Sequence, residues 1–86
     1  MKIDLTKGKP MYIDASYTTS LEFDLSELDI DWSEVEQLWC KYGVLTILMK
    51  DETEHILDYS TDGETDYKWP VTLTIYDEDY HELYSE

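Results

Sequence analysis

Short stretches in which apolar and polar side chains change places at every residue recur along this chain, and they limit what it can fold into. Met11, Ile13, Ala15 and Tyr17 alternate with Tyr12, Asp14 and Ser16. Leu21, Phe23 and Leu25 alternate with Glu22 and Asp24, and Val71, Leu73 and Ile75 with Thr72, Thr74 and Tyr76. A period of two marks a strand with one buried face. Ile3 and Leu5, set among Lys2, Asp4 and Thr6, predict a first strand joined to the 11–17 strand by the basic turn KGKP at 7–10. The 21–25 stretch reads equally as a separate strand or as an extension of the one before it.

The run VLTILM at 44–49 is apolar on both faces, which predicts a central strand covered on at least one side by a helix. The turn KDETE at 50–54 then leads to His55, Ile56, Leu57, Asp58 and Tyr59 as its hairpin partner. Asp62-Gly63 within STDGET marks a further hairpin, and Pro70 points to an edge or a bulge at the start of the last strand.

One segment has a different period. Over 32–42, Trp32, Val35, Leu38, Trp39 and Tyr42 fall on one arc of a helical wheel, with Glu34, Gln37 and Lys41 opposite. Asp31 stands as N-cap with Glu34 as its capping-box partner, Ile30 and Val35 take the staple positions, and Gly43 supplies a left-handed stop. The pattern therefore predicts an α+β fold: a mostly antiparallel sheet of five or six strands with one amphipathic helix (32–42) packed on one face. With 86 residues and no Gly, Ser or Pro linker, the chain reads as a single domain, 1–86.

Apolar residues make up 42% of the chain, enough for a core rather than an acidic disordered tract. The charge balance is skewed: 21 Asp and Glu stand against 6 Lys and no Arg, a formal net charge of -15. Proteins that hold nucleic acid directly neutralise phosphates with clustered cations, so direct binding to DNA or RNA is excluded. The longest apolar run is far short of a bilayer span, and an anionic surface is repelled by anionic head groups, which argues against a membrane role. Cys40 is the only cysteine, so no disulfide forms within the chain, and the N-terminal residues carry no secretory apolar segment. An intracellular, cytoplasmic setting is the expectation.

No motif names a reaction. Cys40 with His55 or His81 lacks the surroundings of a nucleophile, and His81-Glu82 begins a zinc-protease motif whose second His is replaced by Ser85. No cofactor-binding or metal-ligand spacing is present. Asp58, Ser60, Asp62, Gly63 and Asp66 match positions 1, 3, 5, 6 and 9 of a calcium loop, but Trp69 stands where a bidentate Glu is required. A weak calcium-binding domain remains only an alternative. The expectation is a protein that is not an enzyme.

What the charge does fit is imitation. Duplex DNA carries one negative charge per about 1.7 Å of axis, so fifteen charges correspond to roughly 25 Å of duplex, close to the size of a domain of this length. Outward carboxylates on a strand, such as Glu22 with Asp24, are spaced by about 6.6 Å and form rows of anions. In its size, its acidity, its lack of disulfides and its eight tyrosines the chain resembles the small acidic inhibitors that phages direct against host CRISPR, restriction, repair or transcription proteins. The resemblance is one of class, carried by no matched motif. It implies a nucleic-acid mimic that occupies the basic groove of a host protein and blocks it competitively.

The turns and the acidic tail supply the expected contacts: Asp51, Glu52, Glu54, Asp62, Glu64, Asp66, Asp77, Glu78, Asp79 and Glu82, with Tyr80 and Tyr84 as aromatic anchors. Tyr76, Tyr80 and Tyr84 recur every four residues, which would align them along a terminal helix. The alternative is an adaptor or subunit whose acidic face binds one basic protein without imitating a duplex. Like-charge repulsion opposes self-association, whereas an apolar patch around Tyr67 and Trp69 favours it.

Overall fold

The structure is a computed structural model in which residues 5–17, 20–59 and 68–85 are described. They form seven strands: β1 (Tyr12–Ser16), β2 (Ser20–Asp24), β3 (Val35–Lys41), β4 (Val44–Met49), β5 (Glu54–Asp58), β6 (Thr72–Tyr76) and β7 (Glu82–Ser85). These make two antiparallel sheets, one ordered β2-β1-β6-β7 and the other β3-β4-β5. The β3-β4-β5 meander is inserted in sequence between the two halves of the larger sheet. One core fills the space between them: Ile13, Ala15, Phe23, Leu73 and Ile75 from the larger sheet meet Leu38, Cys40, Leu45 and Ile47 from the smaller. The larger sheet rests on a long-range pairing in which Ile13 lies opposite Ile75.

The fold is almost all β, and the α+β expectation is overturned. The helix expected over 32–42 is a single 3-10 turn, Trp32–Glu34, followed at once by β3. Its cap does form: Asp31 accepts from the Ser33 N–H at 3.1 Å, and the Glu34 N–H donates to the Asp31 carbonyl at 2.9 Å. A cap signals only where a helix can begin. Beyond it, Val, Trp, Cys and Tyr favour extended backbone, and the buried β4 needs hydrogen-bond partners along both edges. β3 provides one of them.

The misleading period has a specific cause. Val35 pairs with Met49 and Gln37 with Leu48, so Glu36 is an extra residue, a β-bulge. The bulge places Val35, Leu38 and Cys40 on one face, opposite Met49, Ile47 and Leu45, and so creates the i, i+3 spacing that mimics a helix. Tyr42 (φ 52°) and Gly43 (φ 76°) then form the two-residue turn to β4. Two successive positive φ angles are the mark of a type I′ hairpin, so Gly43 ends a strand rather than a helix.

Other expectations divide. β4 is central as expected, with β5 as its hairpin partner, but the larger sheet covers it in place of the expected helix. β2 is a separate strand. Leu5 and Thr6 lie in a turn, and the rest of the expected first strand, like the Asp62-Gly63 hairpin, lies outside the described residues. β6 is interior, with Pro70 before its start, so the proline removes no ladder hydrogen bond. No terminal helix forms over 76–84; β7 turns back on β6, with Leu83 as its own bulged residue. Among the described residues no helix is long and apolar enough to cross a membrane.

Candidate partner interface

The outer face of the larger sheet follows from the strand period. On β1, Ile13 and Ala15 are buried, which turns Tyr12, Asp14 and Ser16 outward. On β2 the outward residues are Ser20, Glu22 and Asp24, on β6 they are Thr72, Thr74 and Tyr76, and on β7 they are Glu82 and Ser85. No lysine occurs in any of these four strands. The register sets Asp14 directly opposite Glu22, two carboxylates with no cation between them. Burial, then the neighbouring Glu22 charge, raises the Asp14 pKa above its ordinary value, and a hydrogen bond from Ser20 partly offsets both.

A tyrosine cluster lies across the same face. Tyr12 is directly opposite Tyr76. Tyr80, from the turn between β6 and β7, stacks on Tyr12 with ring centroids 4.4 Å apart and an interplanar angle of 3°. Its ring lies 6.0 Å from that of Tyr76 at 52°. Its hydroxyl donates to the Glu22 carboxylate at 2.8 Å, so one side chain reaches from the β6–β7 turn across β1 to β2. That bond, helped by partial burial and the Glu22 charge, pushes the Tyr80 hydroxyl up to about 12.

Asp77 holds this turn together. The inward period of Leu73 and Ile75 continues to Asp77, which is buried at 8% exposure. Its Oδ1 accepts from the Asp79 and His81 N–H groups, each at 2.9 Å, and its Oδ2 lies 3.4 Å from His81 Nδ1. The His81 N–H contributes most to holding the Asp77 carboxyl below the usual range. Gly8 packs so closely that a Cβ there would come within 3.1 Å of Oδ2, so any larger residue would push on this turn. Asp77, Asp79 and His81 each place one ligand atom within 4.8 Å of the others. This is a donor set that suits a divalent cation, but the two backbone hydrogen bonds already account for the orientation of Asp77.

The expected contact residues fall into three groups. Glu78, Asp79, Tyr80 and Glu82 are exposed beside the anionic sheet face, whereas Asp77 is buried and Tyr84 lies opposite Ile75, packed against the core. Asp51, Glu52 and Glu54 sit on the β4–β5 hairpin of the other sheet, where Asp51 accepts from the Thr53 N–H at 3.0 Å. Asp62, Glu64 and Asp66 lie outside the described residues, as does the calcium-like loop beyond Tyr59. The contact set drawn from turns and tail omits Asp14, Glu22, Asp24, Tyr12 and Tyr76. Strand alternation marks all five as outward, but only the pairing register shows that they share a surface.

Elsewhere the surface differs. On the smaller sheet the outward residues include Trp39, Val44, Leu48 and Ile56. A cleft of about 830 Å³ runs along β3 beside Trp69, Pro70, Val71 and Tyr84, and leaves Trp69 55% and Val71 80% exposed. Cys40 is buried in the core with its thiol pushed up by burial, and its Sγ lies 3.6 Å from the Tyr17 hydroxyl. Cys40 and His55 are separated by β4, and His81 belongs to the other sheet, so these three make no catalytic group. Comparison of the chain with protein-family models, curated protein sequences and solved structures found no match.

Proposed function

We propose that this chain is a nucleic-acid mimic that inhibits a basic nucleic-acid-binding protein by occupying its groove. The observation that carries the reading is the outer face of the four-stranded sheet, where Asp14, Glu22, Asp24 and Glu82 are displayed and no strand contributes a cation. Along β2, Glu22 and Asp24 are spaced by about 6.6 Å, and across to β1 the opposed carboxylates are about 5 Å apart at Cβ. Holding anions this close on a sheet costs stability: burial first, and then the Glu22 charge, raise the Asp14 pKa. A cationic groove would relieve that repulsion, so part of the binding energy is stored in the free protein. The molecule measures 36 × 28 × 22 Å, comparable with the roughly 25 Å of duplex that carries fifteen charges.

The partner class is a host enzyme that grips phosphates: a CRISPR effector, or a restriction, repair or transcription protein. The test is capture on the immobilised protein at low and at high salt, followed by elution with duplex DNA or with RNA. Affinity that falls steeply with salt and partners released by nucleic acid support mimicry. Partners retained in excess nucleic acid refute it.

The exposed Trp69 and Val71 beside the β3 cleft favour a second reading, an adaptor that engages one protein partly through apolar contact. Such a complex persists at high salt and is lost on Trp69→Ala.

A further inference from the structure

The outer face of the larger sheet carries more than charge. We propose that the groove it fits belongs to a protein that binds single-stranded nucleic acid, and that Tyr12 and Tyr80 stand in for stacked bases beside the carboxylates that stand in for phosphates. This inference rests on the mimic reading above and narrows it to one class of partner.

Three observations carry it. The Tyr12 and Tyr80 rings are parallel to within 3° with centroids 4.4 Å apart, a stacked arrangement of the kind that neighbouring bases also adopt. Tyr80 remains 54% exposed, so its ring is presented to a partner rather than used to fill the core. Its backbone has φ 60°, a left-handed conformation that Gly or Asn would adopt with less strain. Closing the turn does not require a tyrosine there. What tyrosine adds is a flat ring, held in place by its hydroxyl on Glu22.

The rings and anions together discriminate between partners. A protein that reads duplex DNA grips phosphates and reaches base edges in a groove, and offers no surface for the face of a ring. A protein that binds single strands lines a cationic channel with aromatic side chains on which successive bases stack. Asp14, Glu22 and Asp24 lie beside the ring pair in the same sheet register, with Asp24 opposite Tyr12, so one docking event engages both features.

The experiment is a competition measured by fluorescence anisotropy with the full chain as competitor. One probe is an OB-fold single-strand-binding protein on labelled oligothymidylate, and the other is a helix-turn-helix repressor on its labelled duplex operator. The expected result is displacement from the OB-fold protein at concentrations that leave the repressor complex intact. Tyr80→Asn removes the ring while suiting the left-handed backbone, which offsets part of the lost stacking and the lost Glu22 hydrogen bond, and a thermal melt checks that the variant folds. It should weaken competition about 5-fold to 100-fold, the range for losing one stacked ring. Tyr80→Phe keeps the ring and should stay within about 3-fold of the parent, since a hydrogen bond to an exposed carboxylate contributes little. Displacement of the repressor alone, or undiminished competition by Tyr80→Asn, overturns the single-strand assignment and leaves the anionic-face reading standing. Displacement of neither probe overturns both.

Discussion

Replacing Asp14 by Asn should stabilise the fold and, on the proposed function, weaken binding, because the same charge costs the one and serves the other. Asp14 and Glu22 face each other across β1 and β2. Two unit charges about 5 Å apart repel by about 0.8 kcal/mol in water and by about 3 kcal/mol at an effective dielectric constant of 20. Ionic screening over a Debye length of about 8 Å removes roughly half of this, and the pair is only partly buried, so the lower end applies. A net gain of about 0.5–1 kcal/mol for Asp14→Asn is consistent with the destabilisation found for like charges directly opposed on a sheet. For a domain of this size that corresponds to about 2–8 °C in Tm.

The pH dependence gives the sign. The Asp14 pKa is raised on folding, so its contribution to stability is fully present below the unfolded value near 3.9 and is lost as pH rises through the folded value. The advantage of the Asn variant therefore grows as pH climbs through the carboxylate range, reaches its maximum by neutral pH and vanishes below about pH 3. Thermal or urea denaturation of both proteins at acid and at neutral pH measures it. An Asn variant that is destabilised at neutral pH, or that shows the same gain in acid, would refute the account of opposed anions. If the face is the interface, the same substitution lowers affinity for the captured partner and flattens its salt dependence.

The remaining predictions concern the frame that holds this face. Ile47→Ala removes a fully buried side chain from the shared core and should cost about 2–5 kcal/mol, a large part of the total of about 4–13 kcal/mol expected for this length, so urea titration should show a much earlier midpoint. Tyr42→Asn places the preferred Asn-Gly pair in the β3–β4 turn and should add about 0.5–1 kcal/mol by the same assay. Asp77→Ala strips the acceptor from two N–H groups of the β6–β7 turn and lowers Tm at neutral pH. Because the Asp77 pKa is depressed, its contribution is present above about pH 3.9 and lost as pH falls through the folded value, so the gap between variant and parent should close in acid.

Much of the strand content was legible because it depends on neighbours two residues apart. Ile13, Ala15, Phe23, Leu73 and Ile75 read as inward from alternation alone, and all five are buried. The charge, and with it the expectation of no direct nucleic-acid binding, came from counting. The 32–42 segment failed because a bulge at Glu36 shifts the apolar positions by one and copies a helical spacing, while a true cap at Asp31 begins a turn that goes no further.

Which strand lies beside which is a different kind of information. Nothing local says that β1 pairs with both β2 and β6, or that Tyr80 returns over Tyr12 from the far end of the chain. Composition and period alone determined that this protein has an anionic surface on strands. The tertiary structure decided that Asp14 opposes Glu22, and that a stacked ring pair lies beside them. Backbone pairing sets the register between segments distant in sequence, through hydrogen bonds and burial summed over the whole sheet, and no window of neighbouring residues contains that sum.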